Sequence, residues 1–320
     1  MGDFPVSIYR KMNNGSAVSE FILLGLCNPP ELDVVLYLTF LAMYIITLVG
    51  NTIIIIITNV DPALKTPMYF FLGNLSLLDI ICTTSTVPNM LSKFFVPNKV
   101  ISFHGCVIQM FVFTVAMDTE FLLLTFMSLD RYLAICNPLR YTNIMSRNSC
   151  ICMAAIVWSF GLSSSTFHTS STSWLSFCGP NKINHFFCEV PQVLALSCSD
   201  TSLNQLVLIV TDLILGLICI IFIFFSYVFI IISILHIRSA EGKKKAFSTC
   251  ASHITVVVLF YGTLIFAYFR PSTLNASDTD KDIAVLYTIV IPMLNPILYS
   301  LRNKEVKGAI QKILLRKMFF

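Results

Sequence analysis

The sequence predicts an all-α membrane protein: a bundle of seven transmembrane helices, N-terminus outside and C-terminus inside. Three observations lead there. Of 320 residues, 56% are hydrophobic and only 12% charged, and the mean hydropathy is +0.80; a soluble chain carries about 25% charge. The apolar residues gather into seven continuous runs, each near the roughly 20 residues that cross about 30 Å of hydrocarbon. Basic residues crowd one side of those runs. The first observation excludes a soluble enzyme, and a dispersed net charge of +4 lacks the basic stripe of a nucleic-acid binder.

Residues 1–33 are mostly polar and form the predicted extracellular tail. They lack the basic start and short apolar core of a signal peptide, so the first span is expected to serve as its own insertion signal. The spans run from about Val34 to Thr58, Met68 to Leu91, His104 to Leu133, Cys150 to Phe167, Leu203 to Leu235, Ala246 to Phe269 and Ile283 to Leu301. Serines dilute the fourth, and Pro292 and Pro296 interrupt the seventh. The runs are continuous rather than alternating over about ten residues, which favours helices over a β-barrel. Residues 34–301 thus form the membrane domain, with a long second outer loop over about 168–202, and residues 302–320 a cytoplasmic segment. This topology places 14 of the 21 basic residues inside, among them Lys65, Arg131, Arg147 and Lys243 to Lys245, as the positive-inside rule requires.

Asn14-Gly15-Ser16 is a glycosylation sequon in the outer tail, and Asn275-Ala276-Ser277 another in the last outer loop. Asn74-Leu75-Ser76 also matches but falls within a span, where it is read as chance. Cys106, Cys178, Cys188 and Cys198 all lie on the outer side, where disulfides persist. Four cysteines allow three pairings, and the spacing does not choose among them. For the remaining cysteines packing is the default reading.

Four acids fall within the spans: Asp79, Asp118, Glu120 and Asp212. Each costs roughly 2.5–3.5 kcal/mol at the bilayer centre, so they need partners or water. Asp79 and Glu120 each stand about 16 Å above the inner end of their spans at 1.5 Å per residue. Two carboxylates at one depth share a proton, bind a cation, or form a polar knot that only fixes packing. Glu120, Leu124, Met127 and Arg131 follow i, i+4, i+7, i+11 and share one face of the third span. For Lys243 to Lys245 a lipid-headgroup contact is the simpler reading.

Specific strings cover nearly the whole chain. They are Gly50-Asn51; Pro67-Met68-Tyr69-Phe70-Phe71-Leu72 running to Asn74-Leu75-Ser76 and Asp79; and Asp130-Arg131-Tyr132 followed by Ala134-Ile135-Cys136-Asn137-Pro138. Further on come Ser226-Tyr227, Lys245-Ala246-Phe247-Ser248-Thr249-Cys250 with Ser252-His253, Pro292-Met293-Leu294-Asn295-Pro296 and Tyr299-Ser300-Leu301-Arg302-Asn303. Together they resemble the olfactory (odorant) receptors of the rhodopsin-like G-protein-coupled class, and the long outer loop with three cysteines resembles the class II, tetrapod-type members. Leu129 and Lys65 depart from the family, which usually has Tyr and His there.

The resemblance implies a short amphipathic helix 8 after the seventh span, and disulfides Cys106–Cys188 and Cys178–Cys198. It implies a sodium-like or protonated site at Asn51, Asp79, Glu120 and Asn295. It also implies a coupling switch at Asp130, Arg131, Tyr132, Tyr227, His253, Asn295, Pro296 and Tyr299. In it Arg131 is restrained at rest and turns toward Tyr227 and the inserted helix of a heterotrimeric G protein on activation. A small volatile odorant is expected between Phe113, Thr114, Met117 and Asp118 of the third span, Leu208, Thr211 and Asp212 of the fifth, Tyr261, Leu264, Ile265 and Tyr268 of the sixth, and Tyr287 and Thr288 of the seventh. An ionised Asp118 or Asp212 would favour a basic odorant; a neutral one would bond to Thr114 or Thr211. The implied partner is the olfactory stimulatory G protein, raising cyclic AMP, in the plasma membrane of sensory cilia. No phosphate-binding glycine loop, metal-spaced histidine set or nucleophile with its base is present, so neither catalysis, cofactor nor metal centre is expected. A transporter of a small solute is the alternative, although no internal repeat supports it.

Overall fold

A computed structural model describes residues 18–26, 30–96, 99–178, 181–268, 276–302 and 304–318. Asn14 and Asn275 lie outside them, as does the side chain of Tyr268. The helices are α1 (Asp33–Val60), α2 (Pro67–Ser92), α3 (Phe103–Cys136), α4 (Pro138–Ile144), α5 (Arg147–Ser173), α6 (Val190–Leu194), α7 (Ser202–His236), α8 (Ala240–Tyr268), α9 (Ala276–Val285), α10 (Ile291–Arg302) and α11 (Lys304–Met318). Seven are long and apolar enough to cross a membrane: α1, α2, α3, α5, α7, α8 and the α9–α10 run. A π-helical turn, Leu286–Val290, joins α9 to α10.

Local chemistry sets the ends. Pro67 opens α2 at a position where its missing N–H is not needed. The Ser102 hydroxyl caps α3 by accepting from the Gly105 amide at 3.1 Å, and Ser146 caps α5 through Ser149 at 3.2 Å. α5 continues to Ser173, past the expected end near Phe167. Its hydroxyls are satisfied inside the helix: Thr166 donates to the Leu162 carbonyl and Thr172 to that of His168, both at 2.7 Å. The seventh span likewise starts early. Asp278, Asp280 and Asp282, expected in a loop, lie on α9, where the N-terminal dipole favours acids.

Small residues let the helices approach. A Cβ on Gly50 would meet Pro296 Cγ at 2.9 Å, so α1 and α10 touch there through glycine. A Cβ on Gly161 would collide with Thr119 Oγ1, so α5 and α3 are equally close. Large apolar side chains stay exposed along α1 and α7, among them Leu38, Ile45, Leu213, Ile218 and Phe224. In a bilayer these face lipid. α11 is amphipathic, burying Val306 and Ala309 while Glu305 and Lys307 stay exposed. It is anchored by Tyr69 donating to Glu305 Oε2 at 2.8 Å and by a Lys312–Asp61 pair at 3.3 Å.

The all-α expectation misses one element. β1 (Glu20–Leu23) pairs antiparallel with β2 (Val100–Ser102) and parallel with β3 (Lys182–Ile183), in the order β2-β1-β3. Part of the expected tail is therefore built into the fold. The strand alternates, with Phe21 and Leu23 buried and Glu20 exposed. Phe21 and Leu23 join Met110, Ile183, Val190, Val193 and Leu194 in a small core at the outer end, separate from the main core along the bundle.

Candidate functional site

Three layers of polar residues run through the bundle. At the inner end, Asp130 is 1% exposed and accepts from the Tyr141 hydroxyl at 2.8 Å; its other oxygen lies 3.8 Å from Arg131 Nε. Tyr141, on α4, was not foreseen as a partner. Tyr227 Oη and His253 Nδ1 are 2.5 Å apart, and their rings stack. The Arg131 charge reaches Tyr227, His253 and Tyr299. The Tyr299 hydroxyl is buried without a hydrogen-bond partner, a group with an unmet bond facing a cation. Tyr132 packs edge-on against Phe229 of α7.

At mid-membrane, Asn295 Nδ2 donates to both oxygens of Asp79 at 3.0 and 3.1 Å. Asp79 and Glu120 lie within electrostatic reach of each other. Asn51 Nδ2 donates to the Thr47 and Pro292 carbonyls, tying α1 to the start of α10. Asn51 Oδ1, Asn295 Oδ1 and Glu120 Oε1 are buried without donors. Surplus acceptors around two carboxylates suit a shared proton or a small cation with oxygen ligands. Among the described residues no cluster of three or more His, Cys, Asp or Glu is placed for a metal. Asn74, read as a chance sequon, instead accepts from Trp158 Nε1 at 3.0 Å and joins α2 to α5.

The outer layer sorts the expected ligand contacts. Phe113, Met117, Asp118, Tyr261, Tyr287 and Thr288 are buried in the bundle, and Thr114 and Leu264 are partly buried. Tyr261 donates to the Phe121 carbonyl at 3.0 Å, Thr288 to that of Ala284 at 2.6 Å. Ile265 does not face inward. With Val258 and Phe266, at i−7 and i+1, it forms an exposed stripe on α8, so it faces lipid. Leu208 packs into the outer core rather than the bundle. Thr211 turns toward His168 of α5, with its hydroxyl 3.4 Å from Nε2. Asp118 meets Ser164 of α5, not Thr114, and lies within electrostatic reach of Asp212. Its Oδ2 is buried without a partner.

Cys106 is bonded to Cys188, and Cys178 to Cys198. The first bond pins the outer loop onto α3, and Gln109 reinforces it by accepting from the Cys188 amide at 2.9 Å. The loop then drops Phe187 onto Phe113, ring centroids 4.8 Å apart, and directs Glu189 to the Tyr287 hydroxyl at 3.3 Å. The sequence reading missed Glu189. Its one signal was an acid next to a cysteine expected to anchor the loop.

Burial pushes the Glu189 carboxyl up to about 7; the Tyr287 hydroxyl opposes the rise, and the charges of Asp212 and Asp280 add to it. Burial, with the Lys281 charge, pushes the His185 imidazole down to about 3. The signs oppose. Stability from Glu189 is complete below the ordinary glutamate value and is lost as pH rises through about 7. Stability from His185 is complete above the ordinary histidine value and is lost as pH falls toward about 3. Between roughly pH 4.5 and 6.5 the two cancel. Glu189→Gln is therefore expected to unmask His185. The melting temperature of the variant should climb more steeply with pH over that window than that of the parent, and equal slopes in the two proteins would refute this.

A seven-helix membrane bundle with a disulfide-pinned outer loop, a buried carboxylate pair and an arginine at its inner mouth has the architecture of a membrane receptor. The olfactory receptor family model matches residues 40–317, and the chain belongs to that family. It is 51% identical to human olfactory receptor 5I1 over 95% of this chain and 97% of that one. It is 50% identical to human olfactory receptor 2S2, over 97% and 99% of the two chains, and 48% identical to the dog olfactory receptor-like protein OLF1, over 95% and 98%. The protein is thus a multi-pass protein of the plasma membrane. These relatives are receptors rather than enzymes, and they give the transporter alternative no support.

Proposed function

We propose that the protein is an odorant receptor that turns binding of a small volatile molecule in its outer half into activation of a heterotrimeric G protein at its inner mouth, through the olfactory stimulatory type and cyclic AMP. One observation carries this reading: α3 runs through all three layers. Phe113, Met117 and Asp118 stand at its outer half, Glu120 at the middle and Arg131 at the inner end, with Leu124 and Met127 fully buried between them. A ligand that binds the active helix arrangement more tightly than the resting one shifts the population by that difference, tenfold for each 1.4 kcal/mol. Asp79, Glu120, Asn51 and Asn295 supply the oxygens with which a sodium ion or a shared proton would hold the resting arrangement.

The ligand class follows from the outer layer. Asp118, Asp212 and Glu189 are linked by their mutual electrostatic reach, among aromatic and aliphatic walls. An apolar site with a few placed polar groups suits a small odorant, and acids there favour a basic one. The test is nucleotide exchange on the olfactory stimulatory G protein in receptor membranes, across a panel of amines, alcohols, aldehydes and carboxylic acids. Amines are expected to lead, and Asp118→Asn to weaken them about tenfold or more, the scale of one hydrogen bond to a charged group. Silence across the panel would refute the receptor reading; an unchanged amine response in Asp118→Asn would refute the role of Asp118.

A further inference from the structure

We infer that a crevice at the inner ends of α1, α2 and α5 binds an anionic phospholipid of the cytoplasmic leaflet, with Lys65 and Arg147 holding its phosphate. The crevice has a volume of about 680 Å³, within the ~300–1,000 Å³ range of sites that hold small-molecule ligands. It lies at the opposite end of the molecule from the odorant layer. None of the residues placed above in the odorant site, the carboxylate pair or the coupling switch lines it.

Its two ends differ in chemistry. Toward the membrane centre its wall is apolar, with Phe70, Leu77 and Ile151 lining it and exposed at its surface. At the inner mouth stand Lys65 and Arg147, both exposed. Neither has an acid partner among the described residues. The nearby Asp61 is already engaged, accepting from the Ala63 amide at 3.0 Å and pairing with Lys312 at 3.3 Å. Two helices also begin at this mouth: α2 at Pro67, where Thr66 offers no side-chain cap, and α5 at Arg147. Helix N-termini carry partial positive charge and suit phosphate. Two cations and two helix starts over an apolar slot match the two halves of an anionic lipid. Free phosphate would leave the slot empty, and a zwitterionic lipid would gain less from the mouth.

The back of the crevice is fixed. Asn74 lines it and accepts from Trp158 Nε1, which locks α2 to α5. A Cβ on Gly73 would come within 3.2 Å of Thr58 Oγ1, so glycine keeps α1 close on the other side. The slot is thus a feature of helix packing and does not require a lipid to open it.

Trp158 is a built-in reporter, since the only other tryptophan, Trp174, lies beyond the outer end of α5 and is replaceable. The experiment uses the full-length Trp174→Phe receptor in phosphatidylcholine nanodiscs, with increasing fractions of phosphatidylserine brominated on its acyl chains, and reads quenching of Trp158. Brominated phosphatidylserine is expected to quench at far lower fractions than brominated phosphatidylcholine. Lys65→Gln or Arg147→Gln alone should raise the half-quenching fraction about fivefold and the pair about thirtyfold, the scale of one and two basic residues near an anionic surface. The single variants keep the test decisive if the double variant fails to fold. Lys243→Gln with Lys244→Gln, whose headgroup contacts lie elsewhere on the same inner surface and outside the crevice, should leave the half-quenching fraction at Trp158 unchanged. Equal quenching by the two lipids, unaltered quenching in the variants, or equal loss on replacing Lys243 and Lys244 would each overturn the site.

Discussion

Arg131→Ala is expected to abolish odorant-driven cyclic AMP while leaving surface expression and odorant binding in place. In the structure Arg131 is held only loosely, its Nε 3.8 Å from Asp130 and without a hydrogen bond. Asp130 keeps the Tyr141 hydroxyl on one oxygen when the arginine is gone, and its other oxygen has no hydrogen bond to lose. The resting fold therefore loses little. On the switch proposed above, the guanidinium would turn to two hydroxyls on activation, those of Tyr227 and Tyr299, and the latter is buried without a hydrogen-bond partner. Charge-assisted hydrogen bonds contribute about 1.5–3 kcal/mol each, so losing two shifts the switch by at least a hundredfold toward rest. Dose–response curves for cyclic AMP, set beside surface labelling of the same cells, decide the matter. A normal response in Arg131→Ala would show that the inner cluster only packs the helices.

Cys188→Ser is expected to have the largest effect on stability. The Cys106–Cys188 bond closes a loop with a sequence separation of 82, and Cys178–Cys198 one of 20. On the chain-entropy account these stabilise by roughly 4.5 and 3.3 kcal/mol. The longer bond also carries the outer core, in which Cys106 and Cys188 are packed with Phe21, Leu23 and Ile183, and it places Phe187 against Phe113. Cys188→Ser should lose most surface expression and odorant response, with Cys198→Ser intermediate. Surface labelling and melting of the purified receptor in nanodiscs measure the order. Equal effects of the two variants would argue against the longer loop as the dominant constraint.

The spans were legible because crossing hydrocarbon requires long apolar runs and nothing else in the chain imitates them. Their ends were not. α5 outruns its apolar stretch because serine and threonine satisfy themselves against their own helix, which hydropathy does not register. Depth could be counted along the helices, and Asp79 and Glu120 do come within reach of each other. Rotation was harder to read. Ile265 seemed to belong with Tyr261 and Leu264, but the exposure of Val258 and Phe266 puts it on the other face. Loops were least legible: Glu189 acquires its neighbours only through the disulfide that folds the loop inward. The outer sheet was invisible because its strands are four residues or fewer and pair across as many as 160 positions of the chain.

That sheet also has a schedule. Ile22 pairs with Lys182, 160 positions later in the chain, and at about 5–20 residues per second a ribosome takes on the order of ten to thirty seconds to cover that distance. For that interval β1 waits with its β3 edge open, and through the latter half of it Cys106 has no Cys188 to meet. The outer cap can close only once four spans have been threaded and the loop after them has emerged. A chain that stalls earlier is left with an unpaired edge on β1 and a free thiol at Cys106. The cap therefore acts as a late certificate of completed threading, issued on the side of the membrane where the receptor is later expected to meet odorants.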